Sequence, residues 1–138
     1  MDQLRGTSTA PAKAPERDAN RHIRLLYGRG NSVMADPRVA TVLPGDKLHF
    51  TRFGGDPAAR MRITFMDPKL FSAAVVEEPE VQGDGPAAPL TADVLHPLTG
   101  RVEYKCELVK DGVVISSSTL ESVGGGGLDP EPTESRRD

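Results

Sequence analysis

Three histidines (His22, His49 and His96), one cysteine (Cys106) and four methionines are the residues of this 138-residue chain suited to a soft or borderline metal ion. Two His and one Cys, with a weak axial Met, would make a copper site for electron transfer. Cys106 stands in YKCELVKDG, a stretch that alternates like a strand. The residues after it, ELVKDGVVISSSTL, contain neither His nor Met, and no Met follows Met66. His49 alternates away from Leu48 and Phe50, and His96 precedes Pro97 in a loop. The alternative reading, a small metal or redox protein, would pair Cys106 with His96 or His49, but two ligands do not close a site. A free Cys packs as a small hydrophobe, and Val102, Tyr104 and Leu108 share its face. Cys106 is therefore read as core, and no metal or cofactor is expected.

Other chemistry is thinner. Asp93, His96 and Ser116 to Ser118 are the residue types of a hydrolytic triad. The serines fall inside a strand, though, and not on a sharp strand-to-helix elbow. GRGNS (28–32) lacks the third glycine of a dinucleotide loop, and GGGGLDP lacks the Gly-Lys-Ser/Thr of a phosphate loop. No nucleophile, base and orienting group converge in the pattern, so no enzyme is expected and no catalytic residue is named.

Charge offers one surface. From Lys47 to Lys69 five basic residues outnumber two acidic ones. Arg60 and Arg62 point outward together, two residues apart on one strand face. Outward charges usually just face water. Read functionally, Arg60 and Arg62 are the candidate binding surface for an anionic partner, or for the chain's own acidic residues Glu77, Glu78 and Glu80.

The elements that must position these groups are strands. In RHIRLLYG, Ile23, Leu25 and Tyr27 share a face. GRGN (28–31) is a turn, and VATVL (39–43) is a second apolar run. Pro44-Gly45-Asp46 is a turn, with φ set by Pro at the first corner and φ > 0 tolerated by Gly at the next. KLHFTRF (47–53) and RMRITFM (60–66) alternate cleanly, and TADVL (91–95) does so more weakly. PKLFSAAVV (68–76) reads as a strand or as one helical turn started by Asp67 and Pro68. RVEYKCELV puts charges of alternating sign opposite its apolar face. Asp111-Gly112 is a two-residue hairpin turn, because both positions accept φ > 0. A regular hairpin sets Leu108 opposite Ile115 and Cys106 opposite Ser117 in VVISSSTL. Residues 77–89 form a long acidic loop.

Composition sets the frame. Hydrophobic residues are 37%, aromatics 4%, Trp is absent, and Gly and Pro number 14 and 12. One domain of about 100 ordered residues follows, small enough for a partner or self-association to add stability. Residues 1–20 are expected to be a disordered arm, 21–123 the domain, and 124–138 a Gly-rich, mostly flexible tail with Leu128 as an anchor. A net charge of −3 argues against nucleic acid. No apolar run has the length of a membrane span or signal peptide. A lone cysteine fits a reducing compartment. A cytoplasmic location is expected, with no nucleic acid and no membrane.

Short strands and frequent turns predict an all-β, antiparallel Greek-key β-sandwich. VATVLPGDKLHFTRF is similar to the opening of the cupredoxins, and GRVEYKCEL is similar to the stretch that leads to their copper cysteine. The resemblance implies a cupredoxin- or immunoglobulin-like sandwich over roughly residues 39–132. Copper proteins carry a His on the strand matching RMRITF, where this chain has Arg60 and Arg62. Asp129-Pro130-Glu131-Pro132 also resembles the bacterial DP-EP family, which implies a similar sandwich closed by a last apolar strand, either missing here or placed at VVISSSTL. With no ligand set complete, the expected function is non-catalytic: a protein-interaction or self-assembly module whose partner is a protein or a second copy.

Overall fold

A computed structural model describes residues 17–79, 88–118 and 126–132. Among these residues ten strands form two packed sheets: β1 (Asn20–Tyr27), β2 (Val33–Asp36), β3 (Val39–Val42), β4 (Lys47–Phe53), β5 (Arg60–Phe65), β6 (Val75–Glu77), β7 (Leu90–Asp93), β8 (Val102–Lys110), β9 (Val113–Ser118) and β10 (Gly126–Pro130). One sheet runs β2-β1-β4-β7. The other runs β3-β10-β8-β5-β6, with β9 also on β8. The protein is an all-β sandwich, as the alternation predicts. Among the described residues no helix is long and apolar enough to cross a membrane.

Alternation explains the core. Ile23 and Leu25 of β1 and Leu48 and Phe50 of β4 are at most 1% exposed, and so are Met61, Ile63, Tyr104, Cys106, Leu108 and Leu128 from the facing sheet. Phe50 meets the Tyr104 ring edge-on at 5.1 Å, and Phe65 stacks on Phe71 at 4.3 Å. Edge-on and offset rings place the positive rim of one against the negative face of another, which adds to their burial.

All three predicted turns form, GRGN as a 3-10 turn at Arg29–Asn31. Asp46 N–H donates to Leu43 O at 3.1 Å across Pro44-Gly45, with Gly45 at φ 93°. Asp111 and Gly112 take φ 53° and 77°. The 68–76 segment is both things at once: a 3-10 turn at Pro68–Leu70, then β6.

Four expectations need correction. Six of the eight strand pairings among the described residues are antiparallel, but β1·β4 and β3·β10 are parallel. The β8–β9 hairpin is irregular: Leu108 faces Ser116 and Cys106 faces Ser118, because Ile115 is an extra residue at a bulge. The domain does not stop at 123. β10 lies inside the expected tail, between β3 and β8, with Leu128 fully buried; the closing strand is therefore neither missing nor VVISSSTL. Nor does it begin at 21, since Asn20 starts β1 and Arg17 is bound to the sandwich. Residues 1–16, 80–87, 119–125 and 133–138 lie outside the described residues, and with them Glu80 and most of the expected acidic loop 77–89.

Candidate functional site

The predicted binding pair sits on the outer face of the larger sheet. Arg60 lies 3.5 Å from Glu77, and Arg62 donates to Glu107 at 2.9 Å. Lys105 also approaches Glu107, and Arg101 grips Asp129 through two bonds of 2.8 and 2.9 Å. Arg62 stands directly opposite Glu107 in the ladder, with Glu77 on its other side. Cross-strand partners of opposite sign attract at this spacing. Arg60 thus meets one of the chain's own acidic residues, Glu77. Glu78 turns inward instead, to Arg52 at 2.8 Å. Both arginines are thus spent on intramolecular pairs.

The metal alternative is split by the fold. Cys106 is fully buried, opposite Ile63, with both neighbours on its face fully buried too. Burial pushes its thiol up to about 12, since the thiolate would have to form away from water. His49 projects from the other sheet, away from the core that holds Leu48 and Phe50. His96 is exposed in the loop after β7. Cys106 and His49 therefore face opposite sides of a sheet and do not meet. The triad residues are also apart in their bonding. Ser116 Oγ donates to Asn31 O at 2.7 Å, and the Asp93 carboxylate lies 3.7 Å from Lys47.

The smaller sheet presents something else. Register lays its outer face out in rows. Leu26 is flanked by Met34 and Phe53, Arg24 by Asp36 and Thr51, His49 by His22 and Thr91, and Lys47 by Asn20 and Asp93. The first row is apolar and open: Leu26 is 36% exposed, Met34 61% and Phe53 47%. The second holds the Arg24–Asp36 ion pair. In the third the His22 and His49 rings stack with centroids 4.7 Å apart. Burial, with the charges of His22 and Lys47, lowers the His49 pKa, so this imidazole is neutral at pH 7.

Reading β1 by one apolar face passed over Leu26, which stands on the other face in Leu25-Leu26-Tyr27. Phe53 and Met34 were available as apolar residues at outward positions. Their alignment was not, because it depends on a parallel pairing of β1 with β4 and on β2, which four residues barely signal.

Two concave regions lie among the described residues. One, about 330 Å³, is walled by Pro44, Pro97, Leu98 and Pro130; the other, about 400 Å³, lies beside Arg21, His22 and Val39. No protein-family model matches this sequence, and no curated protein matches it.

Proposed function

We propose that this chain is a non-catalytic binding module: a copper-free, cupredoxin-like sandwich that associates with a protein partner, or with a second copy of itself, through the outer face of the smaller sheet. The observation that carries this reading is the row Met34–Leu26–Phe53, three exposed apolar side chains abreast on adjacent strands. Single exposed hydrophobics are ordinary, whereas contiguous ones mark contact surfaces. The row also ends at β2, the edge of this sheet, where an unpaired strand can take up a neighbour. On the larger sheet Arg60, Arg62 and Arg101 are matched by carboxylates within the molecule, and the exposed apolar run there, Val113, Val114 and Ile115, lies along the one strand β9 rather than abreast on three.

For the cupredoxin-like part, the support is that β8, with its cysteine, lies beside β5, with Arg60 and Arg62 where the resemblance puts a histidine.

The test is sedimentation velocity over a wide concentration range, with capture from the native host's lysate, on the full chain and on Leu26→Glu with Phe53→Glu. Association or capture that disappears in the double variant supports the reading. A parent that stays monomeric and captures nothing the double variant fails to capture removes it.

A further inference from the structure

The imidazole row carries chemistry that the binding reading does not use. His22 and His49 are register partners on two parallel strands, and their rings stack at 4.7 Å with planes 20° apart. Both project from the outer face, His22 exposed and His49 half-buried. Two imidazoles this close on neighbouring strands of a sheet can reach one ion after a single ring turns, because the strands fix where both side chains start.

A second observation concerns how His49 is held. Asn20 Nδ2 donates to the Asp18 carboxylate at 3.1 Å, which fixes the orientation of the amide. Asn20 Oδ1 then faces His49 Nε2 at 2.8 Å. A carbonyl oxygen only accepts, so Nε2 carries the proton and the lone pair is left on Nδ1. Ligating histidines are oriented in this manner, the second ring nitrogen donating to an oxygen that sets the tautomer.

We propose that His22 and His49 form a surface site for a divalent ion of the copper, nickel and zinc group, with His49 Nδ1 and one nitrogen of His22 as protein ligands and water completing the shell. Imidazole suits this group of ions, whereas hard ions such as magnesium want oxygen. Among the described residues no group of three or more His, Cys, Asp or Glu side chains is set to hold an ion, so solvent supplies the remaining positions. The exposed His22 ring turns out of the stack to admit the ion. Of the nearby charges, Lys47 disfavours a cation at His49 although it lies 3.7 Å from Asp93, Arg24 is paired with Asp36, and Asp18 adds a negative charge that acts on both rings. Uptake needs neutral imidazoles, so protons compete with the ion for the same nitrogens.

The site is independent of the apolar row and stands or falls separately. The experiment is calorimetric titration of the full chain with Ni(II), Zn(II) and Cu(II), with Cu(II)-induced broadening of amide signals read on the parent protein. The variants are His22→Ala, His49→Gln, Asn20→Ala and His96→Ala. Saturable one-to-one binding is expected, with broadening centred on β1 and β4. His22→Ala and His49→Gln each weaken it tenfold or more, Asn20→Ala weakens it about tenfold, and His96→Ala leaves it unchanged. Phe53→Glu also leaves it unchanged, which separates this site from the apolar row. Absence of saturable binding, broadening centred elsewhere, or affinity retained in both folded histidine variants overturns the proposal.

Discussion

Gly126 lies so close under the Tyr104 ring that a Cβ at this position would collide with the Tyr104 hydroxyl and stand 3.0 Å from the Ala35 Cβ. The backbone of β10 reaches its place beside β8 only because residue 126 has no side chain. Gly126 therefore serves packing here. Gly126→Ala should cost about 2 kcal/mol or more, the usual penalty of forcing atoms into a filled core. The Tyr104 hydroxyl is buried without a hydrogen-bond partner, so Tyr104→Phe should be neutral or stabilise by about 1 kcal/mol. Combining the two should cost less than the sum, since the phenylalanine leaves more room. Strictly additive values in denaturant melts would show that the two residues do not meet as described.

Cys106 should be silent to thiol reagents in the folded protein. Its thiol is raised to about 12 by burial, so almost no thiolate exists at pH 8. Labelling should then follow unfolding, accelerating by orders of magnitude in denaturant. Labelling of the native protein at the rate of a free cysteine would contradict a core position.

Alkaline stability follows from the same shift. A thiol that titrates near 9 when unfolded and near 12 when folded keeps its proton longer in the native state. Its contribution is complete below about 9 and is lost as pH rises towards 12, at up to about 1.4 kcal/mol per unit. Burial raises Tyr27 and Tyr104 as well, which steepens the fall above their ordinary range. Cys106→Ala should flatten the decline between pH 9 and 11. An unchanged slope in urea melts across that range would count against the linkage.

What the residues made legible was local. β5 alternates over its whole length and β8 from Val102 to Leu108, and Pro44-Gly45 and Asp111-Gly112 have backbone needs that few other pairs meet. Cys106 could be assigned to the core because its own strand face is apolar. The parts that escaped depend on partners distant in sequence. β10 offers one apolar residue, Leu128, and owes its place to the ladder with β8 and β3. Ile115 is a bulge that no turn residue announces. Arg60 and Arg62 read as outward, but that Glu77 and Glu107 stand opposite them is a fact of register. The Met34–Leu26–Phe53 row and the His22–His49 stack both require β1 and β4 to run parallel, and nothing in either strand alone encodes that.

Arg52 should prove among the least replaceable charged residues. Its guanidinium donates to Gly54 O at 2.9 Å, Ala59 O at 2.7 Å and Glu78 at 2.8 Å, and also to Asp56 O. It lies over the Tyr27 ring at 5.8 Å. Glu78 is 2% exposed and also accepts from Met61 N–H. Arg52→Ala leaves that buried carboxylate without its cation, for about 3 kcal/mol or more. Arg52→Lys should restore little, because a point charge cannot span the same fork of acceptors. Recovery of the parental melting temperature by lysine would mean that charge alone suffices.

Arg17 and Glu131, near the two limits of the described residues, meet in a clamp. Arg17 donates to both oxygens of Asp46, the bond to Oδ2 being 2.6 Å, and to Glu131 at 2.7 and 2.8 Å. Asp46 is 2% exposed and also accepts from Leu43 N–H, so it closes the Pro44-Gly45 turn while holding Arg17. Burial alone would raise the Asp46 pKa; the bonds from Arg17 and Leu43 and the charges of Arg17 and Arg21 outweigh it and hold the carboxyl low. Arg17 lowers Glu131 likewise. Carboxylates held low stabilise above their unfolded values, near pH 4, and that contribution is lost as pH falls through the folded ones. Arg17→Ala should therefore cost about 2 kcal/mol at pH 7, and acid unfolding should begin at higher pH than in the parent. A chain of residues 17–132 should unfold cooperatively, whereas 19–123, which lacks both Arg17 and β10, should not fold. A cooperative melt from 19–123 would show that neither the clamp nor the last strand is needed to close the sandwich.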